Sequence, residues 1–181
     1  MTCSAVDGFG FLLMEVDSTL TAIQWALTYL GAVRFMTPKP CVVLDIDGTV
    51  LLNKADGGAR CVLAFTDLVR ACSAASIRIF CVTAREDTPS NRRHTERQLA
   101  GCGISPVERL YMRPPDGIYA VYKRDARREI SANGHDILLC VGDQIADLTY
   151  GSLGGLPDDR TFVGQLGDDR GFAIKLPSEF T

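Results

Sequence analysis

Histidine, tryptophan and long apolar runs are what this 181-residue chain has least of. It carries two His and one Trp, and no stretch approaches the roughly 20 consecutive apolar residues that a membrane-spanning helix needs. The apolar segment at residues 9–14 is short and flanked by Asp7 and Glu15, whereas a secretory signal wants a basic start and a longer apolar region. These features predict a soluble, intracellular chain with no membrane partner. An excess of one charge is also missing: the net charge of −3 and pI of 5.4 give no long-range attraction to nucleic acid. Nucleic acid is therefore a possible partner but not a favoured one. With only His94 and His135 and no CxxC pair, a structural zinc lacks its ligands. The seven cysteines (Cys3, Cys41, Cys61, Cys72, Cys81, Cys102 and Cys140) are odd in number, and Cys81 and Cys140 lie inside apolar runs. We expect small buried thiols in a reducing compartment, not a disulfide framework.

What remains is an ordinary globular composition, 46% apolar and 23% charged, long enough for one compact α/β domain and little more. Apolar positions Leu20, Ile23, Ala26, Leu27, Leu30 and Val33 suit one face of a helix over 18–33, capped by Asp17 or Ser18, with Trp25 read as core. Pro38 and Pro40 then mark a loop. Beyond it the pattern alternates. Strands are expected at 41–44, 77–82, 110–112 and 137–141, helices at 61–75, 90–101 and 123–132, and short strands at 161–163 and 172–175. Alternation of this kind predicts a Rossmann-like, open, mainly parallel sheet with helices on both faces. We divide the chain into a helical N-terminal extension, residues 1–40, packed on a core domain over 41–181.

The chemistry concentrates where apolar strands end. The first runs into Asp45-Ile46-Asp47-Gly48-Thr49, the second into Thr83-Ala84-Arg85, and the fourth into Gly142-Asp143-Gln144-Ile145-Ala146-Asp147. Ligands of open parallel sheets bind beyond the carboxyl ends of the strands, so three polar ends should converge on one crevice. Lys123, placed at the opening of the helix before the fourth strand, can supply a cation. Clustered carboxylates repel unless a cation sits between them, and hard oxygen donors suit Mg²⁺ completed by substrate phosphate. Such a site suits phosphoryl transfer, with a carboxylate nucleophile splitting the reaction into two easier steps.

These residues, in this order, resemble the four motifs of the haloacid dehalogenase (HAD) superfamily. The stretches Thr83-Ala84-Arg85-Glu86, Arg93, Thr95, Leu99, Tyr122-Lys123-Arg124, residues 142–148 and Lys175-Leu176-Pro177 resemble its acid-phosphatase (subfamily IIIB-like) branch, over roughly residues 41–177. The resemblance implies a Mg²⁺-dependent phosphatase in which Asp45 is the nucleophile and Asp47 the general acid and base. It implies that Asp45, the Asp47 carbonyl and Asp143 hold the metal. Thr83, Ala84 and Lys123 would hold the phosphoryl group, and Asp147 would support the metal's waters or orient Lys123. Arg85, two residues beyond Thr83, is a candidate for substrate recognition. Ala84 stands where many relatives have Gly, which narrows the space near the phosphate.

Rival readings carry less. An EF-hand loop fails because an apolar strand precedes Asp45 and position twelve is Asp56. Arg92, Arg93, Arg97, Arg124, Arg127 and Arg128 are read as solvated faces paired with acids such as Glu96 and Glu129. The segments between Asp47 and Thr83 and between Thr83 and Lys123 are filled by core elements. No large cap is therefore expected, only a flap near residues 51–60. An open site admits small phosphomonoesters or phosphate on a macromolecule. It leaves two alternatives to a general phosphatase: a polynucleotide 3′-phosphatase-like enzyme and a non-catalytic binding module. The second would have no use for a nucleophile.

Overall fold

The computed structural model describes residues 13–53, 58–148, 160–165 and 171–178. In chain order the elements are β1 (Leu13–Val16), α1 (Thr19–Val33), β2 (Pro40–Leu44), β3 (Leu51–Asn53), β4 (Ala59–Cys61), α2 (Ala64–Ala74), β5 (Arg78–Glu86), α3 (Pro89–Gly101), β6 (Arg109–Arg113), α4 (Tyr119–Ala132), β7 (Asp136–Gly142), β8 (Thr161–Gln165) and β9 (Phe172–Lys175). Seven strands form one sheet in the order β1-β8-β9-β7-β2-β5-β6, and β3 and β4 make a separate hairpin. From β9 to β6 neighbouring strands are parallel, whereas β8 runs antiparallel to both β9 and β1.

Central β2 is buried at all five positions, as a strand covered on both faces requires. Its alternating side chains feed two cores. Val42 and Leu44 join the larger one with α1, α2 and Leu99 of α3. Cys41 and Val43 join a smaller one with Ala126 and Ile130 of α4. Ser18 caps α1 by accepting from the Thr21 N–H at 3.1 Å, one of the two caps expected. The β1 strand, unmarked by sequence periodicity, adds itself to the sheet edge through β8.

Five expectations need correction. Arg127, read as part of a solvated face, is 1% exposed, and its Nη1 donates to the Ala146 carbonyl at 2.7 Å. Trp25 is 38% exposed, because the buried stripe of α1 is Ala22, Ile23, Ala26 and Leu30 and residue 25 lies off it. The helix expected from residue 61 starts at Ala64, since Ala59–Cys61 pairs with Leu51–Asn53. That hairpin occupies the place of the expected flap, and its tip lies outside the described residues. Helix α4 begins at Tyr119, so Lys123 sits one turn inside it. Finally, Cys61 and Cys102 form a disulfide, with Cα atoms 5.4 Å apart. It ties the hairpin to the end of α3. Cys41, Cys72, Cys81 and Cys140 are buried thiols outside any disulfide, as expected, and burial pushes Cys72 and Cys81 up to about 12. Cys3 lies outside the described residues. No helix among the described residues is long and apolar enough to cross a membrane.

Candidate active site

The carboxyl ends of β2, β5 and β7 open into one cavity of about 460 Å³, lined by Asp45, Asp47, Thr83, Ala84, Arg85, Tyr119, Lys123, Asp143 and Gln144. Seven of the eight site residues expected from the sequence therefore meet there. The eighth, Asp147, reaches the cavity through Lys123.

Asp45 directly follows β2, where its N–H continues the ladder by donating to the Val141 carbonyl at 2.9 Å. A tight loop follows. The Gly48 N–H donates to Leu51 O and the Leu51 N–H to Ile46 O, both at 2.8 Å. Gly48 has φ +75°, and a Cβ there would come within 2.7 Å of Asp143 Oδ2. Glycine thus serves both the left-handed turn and the approach of β7's carboxylate. Thr83 is fully buried, and its Oγ1 accepts from the Arg85 N–H at 3.2 Å.

Lys123, one turn into α4, points back toward the helix N-terminus, as helical side chains do. Its ammonium donates to Asp45 Oδ1 at 2.5 Å and also to Asp147 Oδ1. Burial alone would pull Lys123 down, but the Asp45 and Asp147 carboxylates outweigh it and hold it above its ordinary value. Asp45 is itself pushed well above the usual carboxylate range, by burial first and then by the charge of Asp147. Asp143 is raised chiefly by burial, with the Gln144 hydrogen bond opposing. Asp147 Oδ2 accepts from the Gln144 N–H at 2.9 Å, so both of its oxygens are engaged.

Asp47 has a different partner. Arg85 Nε donates to its Oδ2 at 2.8 Å and Nη2 to its Oδ1 at 2.7 Å. Arg85 Nη1 donates to Thr95 Oγ1 at 3.0 Å and Gln98 Oε1 at 2.6 Å. Arg85 lines the cavity, but its guanidinium is committed to neighbours on the protein and does not stand free at the mouth.

A family model described as HAD superfamily, subfamily IIIB (acid phosphatase) matches residues 54–165, well over half of the chain. The chain belongs to this family. The matched span of this HAD domain starts after Asp45 and Asp47 and contains Thr83, Lys123, Asp143 and Asp147. Solved structures similar to it include two of a class C acid phosphatase. The class C acid phosphatase from Bacillus anthracis shares 20% identity with a TM-score of 0.55, over 74% of this chain and 66% of its own. The class C acid phosphatase from Bacillus anthracis with tungstate bound gives 20% and 0.62, over 75% of this chain and 65% of its own. The HAD domain thus spans slightly less than two thirds of their length, and at that identity the likeness concerns the fold. No curated protein sequence matches the chain.

In the HAD domain the donor set fits a divalent cation. Asp45, Asp143 and Asp147 are buried and offer oxygens within 4.8 Å of one another, and the Lys123 ammonium contacts two of them, Asp45 and Asp147. Three carboxylates gathered this closely in a buried site repel one another, and burial makes that repulsion costly. Hard oxygen donors are what a small divalent ion takes.

Several residues of the site carried no assigned role in the sequence reading. The Tyr119 ring lies under the Lys123 ammonium at 4.8 Å, and its i, i+4 spacing to Lys123 was the available signal. Gln144 Nε2 donates to Asp143 Oδ2 at 3.1 Å and Ser178 Oγ at 2.7 Å. Gln144 flanks Asp143 in sequence, whereas Ser178 gave no signal because only the sheet brings it there. Thr49 Oγ1 donates to Asp45 Oδ2 at 3.3 Å.

Proposed function

We propose that this chain is a Mg²⁺-dependent phosphomonoester hydrolase acting through an aspartyl-phosphate on Asp45, with Asp47 as general acid and base. One observation carries this reading: in a single cavity, a buried carboxylate at a strand end meets a second carboxylate two residues on, a buried Thr hydroxyl and a buried ammonium. Membership of the acid-phosphatase subfamily supports it, as does the fold shared with two structures of a class C acid phosphatase.

Asp45 attacks phosphorus, the bond to the leaving oxygen breaks, and Asp47, carrying the proton taken from water in the preceding turnover, gives it to that oxygen. Water then attacks the acyl phosphate, its proton passes to Asp47, and Asp45 is freed with inorganic phosphate. Thr83, the backbone at Ala84, and Lys123 hold the phosphoryl oxygens. Asp45, Asp143 and the Asp47 carbonyl would hold the ion. Asp147, with one oxygen on Lys123 and the other on the Gln144 N–H, serves to fix the ammonium. When bound, Mg²⁺ supplies neutralisation of the carboxylate and phosphoryl charge.

Hydrolysis of p-nitrophenyl phosphate by purified protein, with and without Mg²⁺ and beside Asp45→Asn, tests the reading. The expected outcome is Mg²⁺-dependent turnover that the variant loses by about a thousandfold or more, with its circular dichroism unchanged. Equal turnover by parent and variant would sink the assignment of the nucleophile.

A further inference from the structure

We propose that Arg85 is a positioning residue for proton transfer: it fixes the Asp47 carboxylate in its working direction, and α3 sets Arg85 through Thr95 and Gln98. The inference rests on the reading of Asp47 as general acid and base.

The backbone is arranged for this contact. Strands β5 and β6 pair at Thr83↔Met112 and again at Glu86↔Arg113. Ala84 and Arg85 are therefore extra residues in β5 with no partner in the ladder. Such an irregularity re-aims side chains at a sheet end. It is pinned from the other side, because Arg113 Nε donates to the Ala84 carbonyl at 3.0 Å. Arg85 then crosses to the β2 loop and grips Asp47 at both oxygens, the geometry in which a guanidinium fixes a carboxylate's orientation and not only its charge.

The guanidinium is fixed in turn. Four of its five N–H groups are used: two on Asp47, one on Thr95 Oγ1 and one on Gln98 Oε1. Thr95 is fully buried, and its helix is packed into the core through Leu99. The position of Asp47 is thus set by a chain from the core through α3 and Arg85. A residue recognising substrate would instead keep its donors open to the cavity. Each carboxylate oxygen bound by one N–H keeps lone-pair capacity, so the grip still lets Asp47 exchange a proton with a leaving oxygen or a water.

Proton donation matters in proportion to how badly the leaving oxygen needs it. A p-nitrophenolate departs readily as an anion, whereas the alkoxide of glycerol does not. Kinetics of the parent, Arg85→Lys and Gln98→Ala on p-nitrophenyl phosphate and β-glycerophosphate separate the roles. For Arg85→Lys, kcat on β-glycerophosphate should fall about 10- to 100-fold, a fraction of the 10²–10⁴ that general acid catalysis supplies. On p-nitrophenyl phosphate it should fall about fivefold at most, and KM should barely move on either substrate. Gln98→Ala should shift the same ratio by a smaller factor and carries the test if Arg85→Lys proves unfolded by thermal melting. In an Asp47→Asn background, Arg85→Lys should cost no further discrimination between the substrates. Equal losses on both substrates would reduce Arg85 to a fold element, and a rise in KM at constant kcat would make it a substrate contact. Either result overturns the inference while leaving the phosphatase reading intact. A parent protein with no turnover removes both.

Discussion

Asp45 and Asp47 stand two residues apart and are held in opposite ways. The Asp45 side chain is 5% exposed and shares one ammonium with Asp147, with Asp143 alongside. The Asp47 side chain is 28% exposed and has a guanidinium to itself. On the buried side two carboxylates share the Lys123 ammonium with a third close by, and burial raises the cost of their repulsion. On the half-open side one carboxylate meets one cation in a bidentate pair, and the charges balance. The difference matches two tasks. On the proposed mechanism, the buried cluster would hold charge for a metal and a phosphoryl group to meet, while the outer pair would keep one carboxylate aimed where water and leaving group arrive.

Removing the shared cation should break the comparison most severely. In Lys123→Ala, Asp45 and Asp147 would face each other in the core with nothing between them. Urea unfolding in metal-free buffer should show a loss of about 3–5 kcal/mol, the usual cost of breaking a buried pair. A loss below about 1 kcal/mol would mean that the imbalance is already relieved by water or by proton uptake.

The next test sharpens the contrast by adding the cation. Mg²⁺ at a hundred times its dissociation constant should stabilise the parent by about 2.7 kcal/mol, read as a rise in melting temperature without any substrate. Asp143→Asn should remove most of that rise, whereas Arg85→Lys should keep it, since Arg85 belongs to the balanced side. An equal loss in both variants would show that the two halves of the site are not separable.

Much of this division was legible in the sequence, because an apolar strand that stops at a carboxylate declares both its burial and its exit point. The strands leading into Asp45 and Asp143 converge as their order implies, Thr83 lies within a β5 that runs on to Glu86 instead of ending there, and the short segments near residues 161 and 172 are strands inside the sheet. Contacts between distant positions were not legible. Periodicity reports which face of a helix is apolar, but nothing local tells Cys61 that Cys102 will arrive within 5.4 Å, so composition favoured thiols there. Trp25 was assigned by residue type where helical angle decides. Arg85 was placed correctly at the cavity, but its partnership with Asp47 depends on two residues that leave the β5–β6 ladder, and no spacing rule announces that.

The smallest expected effect extends the comparison to a third ion pair. Arg109 Nη1 and Glu129 Oε1 are 2.7 Å apart, the same separation as Arg85 Nη2 and Asp47 Oδ1, but their side chains are 56% and 47% exposed. If separation set the strength, Glu129→Gln would cost as much as disrupting the Arg85 pair. Water screens the exposed pair, and both side chains lose rotamer freedom in holding one geometry. Glu129→Gln should therefore change the unfolding free energy by under about 1 kcal/mol and leave Mg²⁺ stabilisation and turnover as they were. The Tyr111 hydroxyl, which donates to the same carboxylate oxygen at 3.3 Å, can donate equally to the amide oxygen. A larger loss would mean that the edge at β6 and α4 is drier than its exposure implies, and that burial alone does not rank the charge pairs of this fold.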